Sequence, residues 1–533
     1  MSVMAYMPYG ADGIIIRVEA DIRRGIPGVD ISGLAEGAVR EARERVRAAF
    51  RNSGFSFPLD RILINLAPAG LKKDGAALDL PIALSVMTAA GIAPVSGNLL
   101  VMGELELSGK IRPVRGVLAA IAAGLSEGIT EFIVPAENAK EAAILAGKGA
   151  CFTAAENLQG AVHALFIREE KGALPVSIDT AFSAAAEADT LDSSCCGDFA
   201  DVRGQTIYKR AMEIAAAGGH NVLVFGPPGA GKTMLARRLP SIMAPLTTDE
   251  AVEVTRLYSL AGPFLNDGDR CLRRFIDRLI TNAPFRAPHH SASAEGILGG
   301  GRIPRPGEIS LAHYGVLFLD EAPEFRINVL QALREPLEDR VISIVRAEGP
   351  VRLPAEFQLL MTANSCPCGR LGISETDNTC FCSPEEINRY WRRFGGALLD
   401  RVEIRVAVLP PKIEEMSGHN NNGSEEKSAE IAQRVRVAVE IQRRRFKGTD
   451  IRRNALLPAG KAAALCPMSE KAESAFHKAI AKLGLSGRAY HGILRVARTI
   501  ADLEGRDPIE TEHILEAVQY RRFGEDPWEI LSI

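Results

Sequence analysis

The chain has 533 residues, with 63 Lys and Arg against 66 Asp and Glu, a formal net charge of −3. Hydrophobic residues make up 47% and charged residues 24%, which excludes a collagen, a largely disordered chain and a small disulfide scaffold. The balanced charge exerts no global pull on nucleic acid, so any such binding must come from a local patch.

Residues 1–167 alternate apolar strands and helices. Gly13–Val18 and Arg61–Leu66 read as strands, β-branched and bounded by turn residues. Glu36–Asn52 reads as an amphipathic helix, with Val39, Ala42, Val46, Ala49 and Phe50 on one face. The N-terminus has no basic segment ahead of an apolar core, so no signal peptide is expected. The uncharged run Leu80–Gly103 is broken by Pro81, Gly91, Pro94 and Asn98. A buried helix, a turn and a strand suit it better than a membrane span, which needs about 20 apolar residues. A cytoplasmic protein with no membrane association is expected.

Residues 168–200 turn small, acidic and aperiodic, and read as a linker. An α/β stretch follows over 201–410. Asn221–Phe225 is a short apolar strand, followed at once by Gly226-Pro227-Pro228-Gly229-Ala230-Gly231-Lys232-Thr233 and a helix-like run. This is the G-x-x-x-x-G-K-[ST] phosphate loop in its strand–loop–helix setting. Its glycines let backbone N–H groups turn toward the phosphates of ATP, at the positive end of a helix. Lys232 is expected to reach the β and γ phosphates, and Thr233 to ligate Mg²⁺.

Val316–Leu319 is a buried-strand pattern that ends in Asp320 and Glu321. Asp320 is expected to hold Mg²⁺, and Glu321 to polarise the attacking water. Leu359–Ala363 is a similar strand, and Asn364 at its end could orient that water. Phosphoryl transfer needs positioning and charge stabilisation more than covalent chemistry, so these few groups suffice. Just beyond lie Cys366-Pro-Cys368 and Cys380-Phe-Cys382, the four cysteines of an insertion over 366–382. Four thiolates can close a tetrahedral Zn²⁺ site, although C-x-C is tighter than the usual C-x₂-C. A second irregular break covers 411–427, and 428–533 reads as helical. Local basic groups occur at Arg302 and Arg305, and at Arg443, Arg444, Arg445, Lys447, Arg452 and Arg453; either set could meet a nucleic-acid backbone.

The motifs GPPGAGKT, VLFLDEAPEF and LLMTAN resemble those of AAA+ ATPases. FRAPHHSASAEGILGGGRIPRPGEISLAHYGVLFLDE, LREPLEDRVISIVRA, SCPCG and RVARTIADLEG are similar to a magnesium-chelatase-like group known as ComM or YifB. VDISGLAEGAVREARERVRAAFRNSGFSFP and NLAPAGLKKDGAALDLPIAL resemble that group's Lon-like domain. The likeness covers nearly the whole chain; one departure is Ser365, where the group usually has proline before C-P-C-G. It implies an α/β chain in three parts. These are a Lon-protease-like α+β domain over 1–167, an AAA+ P-loop core over 201–410, and a C-terminal α-helical lid over 428–533 of the magnesium-chelatase C-terminal type.

The resemblance also implies a ring, expected to be a hexamer, in which an arginine of one subunit completes its neighbour's site. Arg401, in Leu398-Leu-Asp-Arg401, matches that finger, and Arg488, in Gly487-Arg488-Ala489, resembles the second sensor at the γ-phosphate. Arg495 is the rival for that role. Lon proteases carry a serine where this chain has Ala77, and their lysine falls near Gly116–Ala120, which holds none; no peptidase activity is expected. The implied activity is ATP-driven helicase or branch-migration work on single-stranded or branched DNA in natural transformation. The alternative is a protein-remodelling ATPase of the magnesium-chelatase or MoxR type. The N-terminal domain is expected to favour the DNA motor, since a chelatase subunit is expected to lack it.

Overall fold

A computed structural model describes residues 2–94, 97–175, 197–262, 278–346, 349–371, 380–410 and 425–522. Most of the two expected linkers, at 176–196 and 411–424, lies outside the described residues. The helix α4 (Leu158–Lys171) runs past the expected boundary at 167, capped by the Asn157 side chain at its start and left-handed Gly172 at its end.

The N-terminal part is built on a seven-stranded sheet. Its strands are β1 (Ser2–Met7), β2 (Ile14–Arg23), β3 (Gly28–Ser32), β4 (Arg61–Ala67), β5 (Leu99–Val101), β6 (Glu131–Pro135) and β7 (Cys151–Ala155), in the order β3-β4-β2-β1-β5-β6-β7. Three helices flank it alongside α4: α1 (Gly37–Asn52), α2 (Asp79–Ala89) and α3 (Val117–Ser126). The apolar stripe of α1 (Val39, Ala42, Val46, Ala49, Phe50) is buried at 2% exposure or less, as its helical spacing requires. The run Leu80–Gly103 is a buried helix, a turn and a strand.

The central part is a five-stranded parallel sheet of β8 (Val222–Phe225), β9 (Phe285–Arg286), β10 (Val316–Leu319), β13 (Gln358–Ala363) and β14 (Ile404–Ala407). The order is β9-β10-β13-β8-β14, which sets β8 between β13 and β14. VLVF, VLFL and QLLMTA are buried throughout, because helices cover both faces of a parallel sheet. The helices α5 (Thr206–Gly218), α6 (Lys232–Ala236) and α7 (Thr248–Ala261) belong to this part, as do the short α8 (Arg334–Asp339) and α9 (Pro384–Arg392). Thr247 with Glu250, and Ser383 with Glu386, form capping boxes at the starts of α7 and α9. β11 (Val341–Arg346) and β12 (Gly349–Pro354) form an antiparallel hairpin whose Ile342, Val351 and Leu353 pack into the core of the central sheet.

The C-terminal part is helical: α10 (Ser428–Arg445), α11 (Ala459–Leu465), α12 (Glu470–Leu483), α13 (Gly487–Leu503) and α14 (Thr511–Arg522). It does not have a core of its own. Val222 and Val224 of β8 lie in one hydrophobic cluster with Val435 of α10, Phe476 of α12, Leu494 of α13 and Tyr520 of α14. The central and C-terminal parts, separate in the sequence pattern, thus share one core. No helix among the described residues is long and apolar enough to cross a membrane.

Candidate functional site

The phosphate loop leaves the carboxyl end of β8, the edge where ligands bind in open α/β sheets. Gly229 and Gly231 adopt φ of +77° and +82°, so both need glycine. At Gly226 a Cβ would lie 2.0 Å from the Val408 carbonyl, so the loop hugs the strand beyond β14. Lys232 opens α6, and its carbonyl accepts from the Tyr208 hydroxyl at 2.9 Å. Its Nζ donates to the Gly226 carbonyl (2.7 Å), the Pro227 carbonyl (2.8 Å) and Asn364 Oδ1 (3.1 Å). Burial lowers its pKa from the usual lysine value; Asp320 and Glu321 oppose that shift.

The two acids follow β10. Thr233 donates to Asp320 Oδ1 at 2.9 Å, and Thr362 donates to the same oxygen at 2.6 Å. The Thr362 hydroxyl accepts in turn from the Glu321 backbone N–H at 3.0 Å. Glu321 sits in the left-handed region at φ +50°, an uncommon conformation for a non-glycine residue. Lys232, Thr233, Asp320, Glu321 and Asn364 thus meet at one end of three adjacent strands. A hydroxyl and a carboxylate side by side are the hard oxygen donors that Mg²⁺ takes.

Arg401 and Arg488 are not part of this group. Arg401 hydrogen-bonds Glu338 of α8 and the Ala397 carbonyl, and Arg488 reaches the other oxygen of Glu338 at 3.1 Å. The Arg401 guanidinium beside it holds the Glu338 carboxyl below its usual range. The Arg401 carbonyl accepts from the Asn221 side chain at 2.8 Å, and Asn221 precedes β8. The phosphate loop is at the opposite end of that strand, roughly 13 Å away for four residues. Arg488 therefore does not lie over this chain's own phosphates, as the second-sensor likeness led us to expect. Shared packing causes this: Thr499 of α13 meets His220 at 2.8 Å, so the helix docks at the amino end of β8. Arg495 faces the same edge, 3.8 Å from Glu403.

The basic candidates are largely consumed inside the molecule. Arg445 pairs with buried Asp502, Arg452 with Glu250, and Arg443 donates to the Pro245 carbonyl. Arg302 pairs with Glu36 and Asp74 of the N-terminal part, at 2.9 and 3.0 Å. Arg346 and Arg352 of the β11–β12 hairpin are exposed and have no ion-pair partner among the described residues. Sequence reasoning passed over them, and also over Thr362 and Glu338. The four cysteines do converge: Cys366, Cys368, Cys380 and Cys382 present their sulfurs within 4.8 Å of one another. Ala77 and Arg115 of the N-terminal part line an open cavity of about 620 Å³ together with Pro304 and Arg305 of the central part. Lys73 is buried, with its Nζ on the Pro68 carbonyl.

Three family matches fall along the chain. Residues 198–416 match magnesium chelatase, subunit ChlI; residues 18–138 match subunit ChlI of Mg-chelatase; residues 425–521 match the subunit ChlI C-terminal family. The chain is 41% identical to "Uncharacterized protein YifB" of Salmonella typhimurium, over 96% of this chain and 95% of that one. It is 40% identical to "Competence protein ComM" of Haemophilus influenzae, with the same coverage. A shorter likeness, 26% over 136 residues, joins it to the Lon protease of Solibacter usitatus, across 24% of this chain and 17% of that one. A phosphate loop, two strand-end acids and a parallel sheet, matched from end to end by such relatives, place the chain in the ComM/YifB family of magnesium-chelatase-like AAA+ ATPases.

Proposed function

We propose that this chain is the subunit of a six-membered ring that hydrolyses ATP to drive helicase or branch-migration work on DNA.

 The observation that carries this reading is the gathering of Arg401 and Arg488 on Glu338, at the end of β8 away from this chain's own phosphate loop. Arginines in that place suit a neighbour's nucleotide, where a guanidinium supplied in trans stabilises transition-state charge. Within one chain, Lys232 and the loop N–H groups bind the ATP phosphates, and Asn364 and Glu321 position and polarise the attacking water. Thr233 and Asp320 would hold Mg²⁺, which would supply neutralisation of the phosphate charge.

Two observations support DNA as the substrate. One relative carries the name of a competence protein, which fits integration of DNA during natural transformation. The outward face of the β11–β12 hairpin pairs Ser343 with Arg352 and Val345 with Pro350, and Val345 is 82% exposed. A cationic, partly apolar hairpin of this kind can follow a nucleic-acid backbone. The second reading, remodelling of a partner polypeptide, is favoured by the chelatase-subunit matches. The N-terminal part does not separate the two readings, because residues 18–138 themselves match a ChlI family.

ATP hydrolysis, measured with and without single-stranded and branched DNA at several salt concentrations, tests the proposal. DNA should stimulate turnover, and the stimulation should fall as salt rises. Lys232→Ala should abolish nucleotide-dependent activity. Glu321→Gln should keep ATP binding and slow hydrolysis by about a hundredfold or more. If DNA neither binds nor stimulates while a protein does, the DNA motor is wrong. Wild-type hydrolysis by Glu321→Gln would refute the assignment of the water-polarising acid.

A further inference from the structure

The cysteine insertion is built into the nucleotide site rather than hung beside it. The Sγ atoms of Cys366 and Cys368 are 3.3 Å apart, those of Cys366 and Cys380 3.6 Å, and those of Cys368 and Cys380 3.5 Å. Cys382 completes the group within 4.8 Å. Four thiolates at about 2.3 Å from a tetrahedral Zn²⁺ lie about 3.8 Å from one another. The observed spacings are close to that edge length, and all four cysteines are free of disulfides.

Among the described residues, the chain before Cys366, the turn after Cys368 and the helix after Cys382 all reach the ATP site. Cys366 follows Asn364 and Ser365 directly. Asn364 accepts from Lys232 through its side chain and donates its backbone N–H to the Tyr390 hydroxyl at 3.2 Å. The Ser365 carbonyl accepts from Trp391 Nε1 at 3.1 Å. Tyr390 and Trp391 belong to α9, which begins two residues after Cys382. The Trp391 ring stands edge-on to Phe225, the last residue before the phosphate loop, with centroids 5.3 Å apart. On the other side, Gly369 turns at φ +76°, and a Cβ there would lie 2.8 Å from Pro228 Cδ in the loop itself.

We propose that Cys366, Cys368, Cys380 and Cys382 bind one structural Zn²⁺, and that this knuckle braces the phosphate loop and Asn364 for hydrolysis. Four Zn–S bonds form, and the thiol protons leave to solvent. The metal does no chemistry on ATP; it fixes the turn that leans on Pro228 and the residue that meets Lys232. The brace rests on the ATPase reading above, whereas the metal site does not.

The test uses the full chain, purified without chelators. Elemental analysis should find about one zinc per chain, and a mercurial reagent should release it as the four thiols react. Cys368→Ser should lose the zinc. Zinc-depleted protein should bind a fluorescent ATP analogue within about threefold of the replete protein, yet hydrolyse ATP at least about tenfold more slowly, and recover when zinc is restored. Gly369→Ala keeps the four thiolates, sets a Cβ against Pro228 and strains the left-handed turn at Gly369, so its zinc content is measured beside its turnover. It should retain zinc and also hydrolyse slowly, which decides the brace even if Cys368→Ser fails to fold. Absence of zinc with four freely reactive thiols overturns the metal site. Unchanged hydrolysis in both the depleted protein and Gly369→Ala overturns the brace. A replete wild-type protein that hydrolyses no ATP refutes the ATPase reading instead, and leaves the zinc count standing.

Discussion

Thr362 serves both acids of the hydrolysis site at once. Its hydroxyl donates to Asp320 and accepts from the backbone of Glu321, the residue held at φ +50°. Valine has nearly the same shape and neither bond. Thr362→Val should therefore leave ATP affinity nearly unchanged and lower kcat about tenfold, the effect of about 1.4 kcal/mol of lost positioning. Steady-state hydrolysis beside nucleotide titration checks this; a shift confined to KM would show that the hydroxyl serves binding only. Lys232, Thr233, Asp320 and Glu321 were legible because they sit at fixed offsets in short motifs whose chemistry demands those residue types. Thr362 was quoted inside its strand yet carried no signal, since its role depends on two partners 41 and 42 positions away. Glu338 was hidden for the same reason: its two arginines lie 63 and 150 residues further along.

The helix α13 carries a buried polar stripe along one side. Arg498 and Arg445 share Asp502, Asn454 bonds both Asp502 and Thr499, and Thr499 meets His220. Burial holds His220 neutral, with its pKa lowered to about 3, and nearby Arg495 acts in the same direction. The unfolded chain would protonate it near 6.5, so between about pH 3 and 6.5 the unfolded state binds more protons. The stability contributed is full above pH 6.5 and is lost as pH falls, by up to about 1.4 kcal/mol per unit. Urea midpoints of wild type and His220→Gln from pH 7.5 to 5 should converge as pH drops. A constant difference would show that the imidazole does not titrate on unfolding. Two members of the basic run at 443–453 likewise meet acids far along the chain. Arg445 meets an acid 57 residues away and Arg452 one 202 residues away, and one-dimensional charge clustering cannot see either.

At the scale of the whole molecule, the N-terminal part clasps the central sheet. Arg302 grips Glu36 and Asp74, Arg256 meets Asp12 at 3.2 Å, Ser259 bonds Glu141, and the Gly10 N–H reaches the Pro304 carbonyl at 3.1 Å. The strands were readable from apolar runs and turn residues, whereas this clasp depends on pairs drawn from distant segments. Proposed assembly in trans gives a prediction that only the oligomer can answer. Arg401→Ala and Lys232→Ala chains, each inactive alone, should regain about a quarter of wild-type ATPase when mixed equally. That fraction is the share of interfaces joining an intact loop to an intact arginine; no recovery on mixing would mean that Arg401 serves its own chain. One strand connects the two ends of this scheme. Gly226 begins the phosphate loop at one end of β8, and Asn221 at the other holds the Arg401 carbonyl and, through its N–H, Glu403 at 3.0 Å. A β-strand locked between β13 and β14 in a close-packed interior does not stretch or compress. A shift of the loop around its nucleotide would therefore be carried along β8 to the arginine edge, and would reach whatever adjoins that edge.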